Sequence, residues 1–95
     1  MAKKLVRGNN VPQNAESLST SEFMSVALDQ ISSTAQSVKG SDTSEPILNA
    51  MSDILDLMCT YLIASNIDPA TLFEHAVEIR KTQGSFDKKV AVPKD

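Results

Sequence analysis

Between Glu45 and Asn66 the chain has no Gly, and its one Pro, Pro46, falls where a helix would begin. Ala50, Met51, Leu55, Leu57, Met58, Leu62 and Ala64 are strong helix formers, and a proline in the first turn removes an N–H that has no helical partner anyway. Ile47, Leu48, Met51, Ile54, Leu55, Met58, Tyr61 and Leu62 make a wide apolar face, which Leu57, Ile63 and Ala64 extend around the sides. A helix so apolar must be covered on most of its circumference, and this requirement governs what the rest of the chain can do.

The means of covering it are limited. Of the 95 residues, the polar flanks leave about 65 able to build a core, which is small for a lone monomer. Such a chain supplements its core with metal, disulfides or association. Cys59 is the single cysteine, so no internal disulfide is possible. Association is the expected supplement, a homodimer or higher, with Cys59 a small apolar residue of the helix. Asp53 and Asp56 interrupt the apolar run, so the expectation is no membrane span. No signal peptide is expected ahead of it, and an unpaired cysteine suits the reducing, cytoplasmic location that is expected. The net charge of −3 gives no basic face for nucleic acid.

The fold expected is all-α. Residues 1–18 carry Gly8, Asn9, Asn10, Pro12 and Asn14 with no apolar period, and are expected to form a mobile arm without regular structure. Residues 19–84 read as a three-helix domain. Ser19-Thr20-Ser21-Glu22 has capping-box spacing, and Met24, Leu28, Ile31, Ala35 and Val38 then recur at helical intervals, widened by Phe23 and Ala27, as far as a stop at Gly40. After a short polar connection, Thr43 or Ser44 can cap the central helix, which stops near Asn66. Asp68-Pro69 starts a third helix with Leu72, Phe73, Ala76, Val77 and Ile79 on one side, ended by Gly84. The expected arrangement is a hairpin of the first two helices with the third folded across it. Residues 85–95 form a polar tail in which Phe86, Val90 and Val92 have no assigned partner.

Catalytic patterns are sparse. His75 is the only histidine and falls on the polar side of the third helix, away from any assignable nucleophile. One Cys and one His do not make a zinc set, and Gly8, Gly40 and Gly84 stand apart rather than in a phosphate loop. The strip left between apolar residues of the central helix holds Asn49, Asp53, Asp56 and Thr60, at intervals of four, three and four. Two carboxylates one turn apart can hold Mg²⁺ if Asp29, Glu22 or Glu78 reaches them from a neighbouring helix. The plainer reading is a face turned to solvent or to a polar partner.

The run from Ala50 to Leu57, followed by Tyr61 to Pro69 and then Leu72-Phe73-Glu74, resembles the second half of the MazG-like all-α nucleoside triphosphate pyrophosphohydrolases. In that family an acidic helix leads through an Ile-Asp corner into a further helix. A Glu-Glu-x-x-Glu cluster and a Glu-x-x-Asp pair there bind Mg²⁺. The resemblance places Asp53 at the last of these acids, with Ala50 where the paired Glu belongs. On the first helix it gives Ser25, Val26 and Asp29, so only the third position keeps an acid. It implies a scaffold whose catalytic site has been lost, or acids differently arranged.

Two functions follow as expectations. The first is a non-enzymatic helical interaction module that associates with itself and with an unidentified protein as a regulator or inhibitor, needs no cofactor, and uses Ile47, Met51, Ile54, Met58 and Tyr61 as its contact face. The second is a Mg²⁺-dependent pyrophosphohydrolase with Asp53, Asp56, Asp29 and Glu22 as metal ligands. Convergence of these four carboxylates on one concave site would separate the two.

Overall fold

The computed structural model describes residues 3–94 and places three helices there: α1, Thr20–Ser37; α2, Ser44–Ala64; and α3, Pro69–Gln83. No strand occurs among the described residues. The helix ends follow local chemistry. The Ser19 side chain accepts from the Glu22 N–H while the Glu22 carboxylate accepts from the Ser19 N–H, so the capping box is closed in both directions. Gly40 takes φ 81° in the turn after α1. Thr43 occupies the N-cap of α2, but its side chain makes no capping bond, so this end lacks the side-chain cap expected of Thr43 or Ser44.

The corner between α2 and α3 is a complete Schellman arrangement. Ile67 N–H donates to the Leu62 carbonyl, Asn66 N–H donates to that of Ile63, and Asn66 takes φ 62°. Asp68 then caps α3 by accepting from Ala70 N–H at 3.0 Å, with Pro69 as the first helical residue.

α1 packs on α2 as an antiparallel hairpin, and α2 divides its apolar residues into two stripes. Ala50 is buried and Ile47, Ile54, Leu57 and Tyr61 are half-buried. These five recur at intervals of three and four and mark the stripe turned to α1. Offset by one residue lies a second heptad stripe, Leu48, Met51, Leu55, Met58 and Leu62. Its first three members are 64, 49 and 43% exposed. The single wide face expected from the sequence is thus one covered stripe beside one largely open stripe. α1 matches the covered stripe with Phe23, Ala27, Gln30, Thr34 and Val38, whereas Leu28 and Ala35, expected inside, are exposed.

α3 does not lie across the hairpin. It touches α2 sparsely and does not pack on α1, which leaves Phe73, Val77 and Ile79 exposed. In the tail, Phe86, Val90 and Val92 are almost wholly exposed as well. Among the described residues only Ala27 and Ala50 are buried apolar residues. The accessible surface is 8192 Å², against about 5,400 Å² for a compact monomer of this mass. The radius of gyration is 16.0 Å, against about 12.4 Å for a compact domain of this length. Both values lie above those of a compact domain of this size.

Residues 3–18 are not without regular structure. They contain a 3₁₀ turn, Gly8–Asn10, and lie against α1 and α2 through contacts described below. α2 is also long and apolar enough to cross a membrane by length and composition alone, so its two aspartates do not disqualify it on that measure. Those carboxylates fall near its middle, where placing each at a bilayer centre would cost about 2.5–3.5 kcal/mol.

Candidate functional site

Two carboxylates of the polar strip of α2 hold the Arg7 guanidinium. Arg7 splits its fork between the two aspartates: one terminal N–H donates to Asp53 Oδ1 at 2.6 Å and the other to Asp56 Oδ2 at 2.6 Å. The one-turn spacing that sets two like charges side by side therefore also fits a planar group with two outward N–H edges. These bonds push the Arg7 pKa up, the bond to Asp53 contributing most. All three side chains remain more than half exposed, so solvent screens the pair. Thr60, one turn further on, spends its hydroxyl on the Asp56 carbonyl at 2.9 Å.

Two residues before Arg7 the backbone itself is held. Leu5 N–H donates to Gln30 Oε1 at 2.7 Å, and Gln30 Nε2–H donates to the Leu5 carbonyl at 3.2 Å. One side-chain amide thereby satisfies both backbone groups of one residue, as a neighbouring strand would. Another two residues back, Lys3 Nζ lies 2.6 Å from Glu16 and 3.6 Å from Glu22. The Lys3 ammonium is held above its ordinary range, chiefly by the Glu16 hydrogen bond. Glu22 is held below the usual carboxylate range, chiefly because it accepts from the Ser19 backbone N–H.

Residues 3, 5 and 7 thus meet the helices in turn, at the period of an extended chain. Arg7 itself is extended, with φ −73° and ψ 153°. Beneath this segment lies an open hollow of about 540 Å³, whose walls include Leu5, Phe23, Gln30, Asp53, Asp56 and Leu57.

The four carboxylates considered as metal ligands do not converge. Asp53 and Asp56 share Arg7, and Glu22 is engaged at the N-cap of α1 with Lys3 beside it. Asp29 shares only an open second hollow with Asp53, whose walls also include Lys3 and Lys4. Among the described residues no three of His, Cys, Asp and Glu form a group able to hold a metal ion. Asp53, one of the two acids that the resemblance to the pyrophosphohydrolases retains, is paired with a guanidinium.

Of the contact residues proposed from sequence, Met51 is exposed, Met58 is half-buried on the open stripe, and Ile47, Ile54 and Tyr61 belong to the stripe turned to α1. Leu48 and Leu55 are the open residues that set lacked. His75 is exposed and Cys59 half-buried. The sequence assigned no partner within the chain to Leu5, Arg7 or Gln30. The signal for Gln30 was its place in the inward stripe of α1, between Ala27 and Thr34, where an apolar residue is the norm.

Comparison with known proteins finds no matching family model, no matching curated protein and no matching solved structure.

Proposed function

We propose that the protein is a small non-enzymatic helical interaction module that works as a homo-oligomer, most simply a homodimer, and regulates or inhibits a larger protein in the cytoplasm. The observation carrying this reading is the open heptad stripe of α2, in which Leu48, Met51 and Leu55 stand 64, 49 and 43% exposed. It is an apolar strip of the kind that specific interfaces bury, and α3 separately exposes Phe73, Val77 and Ile79.

A heptad stripe favours a second helix laid along it, and a two-fold axis lets one stripe serve both copies. Burying a Leu or Met side chain of this kind contributes about 1.5–3 kcal/mol when complete. The test is thermal melting across a hundredfold range of protein concentration. Coupling of folding to association makes Tm rise with concentration. A Tm independent of concentration, with a monomeric mass by light scattering, would defeat the reading.

A further inference from the structure

We propose that the groove between α1 and α2 is a recognition site for an extended basic segment of a partner protein with the pattern Lys-x-Leu-x-Arg, and that residues 3–7 fill it in cis. α1 and α2 meet the segment at two-residue intervals: Glu22 of α1 beside Lys3, whose nearer partner is Glu16 of the arm itself, the Gln30 amide of α1 on both backbone groups of Leu5, and the Asp53–Asp56 pair of α2 around the Arg7 fork. The amide reads extended backbone whatever the side chain, the carboxylates set charge and register, and Leu5 shares the walls of the hollow with Phe23 and Leu57, which gives the Leu of the segment apolar neighbours. A peptide that adds itself to a strand edge uses the same division of labour, with main-chain bonds for affinity and alternate side chains for selection.

The cis occupant is replaceable. Each of its charged contacts is solvent-exposed, and residues 8–17, which tether it to α1, are exposed throughout. A segment of the same chemistry arriving in trans therefore competes only against the effective concentration that the tether confers. The partner is a protein other than a second copy, because Asp53 and Asp56 lie roughly 150° around α2 from the Leu48–Leu55 stripe. A copy seated on that stripe leaves the groove facing outward. The site therefore stands or falls independently of the homo-oligomer proposed above.

The test uses the full chain carrying Arg7→Glu, which withdraws the cis occupant, with Arg7→Ala as a second variant should the first lose its helical circular dichroism. The probe is a fluorescent peptide of residues 3–10 with blocked ends, followed by anisotropy. The peptide is expected to bind the variant about tenfold or more tightly than the native chain. Affinity should fall with added salt, and should drop about tenfold when Gln30→Ala or Asp53→Asn/Asp56→Asn is added. A scrambled peptide of equal charge should bind about tenfold more weakly. No binding to either variant, equal binding of the scrambled peptide, or equal binding to native and variant chains would each overturn the proposal. So would dissociation of the native oligomer by the peptide, since that would make a second copy's arm the natural occupant.

Discussion

Arg7 Nη2 lies 2.6 Å from Asp53 Oδ1 although the two residues are 46 apart in the chain. This contact alters an expectation drawn from α2 alone, where two aspartates one turn apart repel and neutralising both should leave stability unchanged or slightly raised. With a guanidinium shared between them, Asp53→Asn/Asp56→Asn removes the attraction along with the repulsion. The double variant is expected to lower Tm slightly and to speed hydrogen exchange at the Leu5 amide. Arg7→Ala should do the same, and combining the two should add little. Millimolar Mg²⁺ is expected to leave the Tm of the native chain unchanged. A Mg²⁺-dependent rise that the double variant loses, with pyrophosphate release from a nucleoside triphosphate, would instead establish the carboxylates as a metal site.

Gln30 is the other anchor of the arm. Gln30→Ala leaves the Leu5 N–H and carbonyl to water and is expected to cost about 1 kcal/mol in denaturant unfolding. Protection of the Leu5 amide should fall while that of α1 amides stays as it was. If Leu5 exchanges at the rate of an unfolded peptide already in the native chain, the arm is mobile, as its composition suggests.

The capping box gives a pH signature. Glu22 is held below its ordinary value of 4.5, so its contribution to stability is fully present above that value and is lost as pH falls through the lower folded-state value. Glu22→Gln preserves the box geometry and should remove this part of the acid dependence. Ser19→Ala breaks the box from the other side and is expected to cost about 0.5–2 kcal/mol at neutral pH. Urea titrations of the three proteins at pH 3, 5 and 7 read both effects. An unchanged acid limb in Glu22→Gln would show that Glu22 does not carry it.

How much of this was legible depended on how local the cause was. Ser19 with Glu22, Gly40, Asn66 and Asp68-Pro69 each act within a few residues, and the helix ends fall where those residues place them. The placement of Leu28 and Ala35 was misread because the inward stripe of α1 runs through Gln30 and Thr34, whose polar character hides them from an apolar count. The two stripes of α2 were read as one because their spacing is identical and only the neighbour distinguishes them. The arm was the least legible. Leu5 and Arg7 have no local partner, and their contacts exist only once α1 and α2 have set Gln30, Asp53 and Asp56 side by side.

Asn66 offers a test of the corner between α2 and α3. At φ 62° a β-carbon is strained, and Asn tolerates the region better than Ala does. Asn66→Ala is expected to destabilise by about 1–2 kcal/mol, and Asn66→Gly to be neutral or slightly stabilising. Equal stability of the two variants by thermal melting would mean that the corner relaxes in solution.

In the proposed homo-oligomer the open stripe of α2 is the interface between copies. Sedimentation equilibrium of the native chain beside Met51→Lys/Leu55→Lys measures it most directly, because both residues are exposed in the protomer and the change leaves the stripe facing α1 untouched. The native chain is expected to sediment as a dimer or larger at micromolar concentration, and the double variant as a monomer of 10.3 kDa that keeps α1 and α2 by circular dichroism. A native chain that sediments as a monomer, or a double variant that associates as the native chain does, would contradict the account.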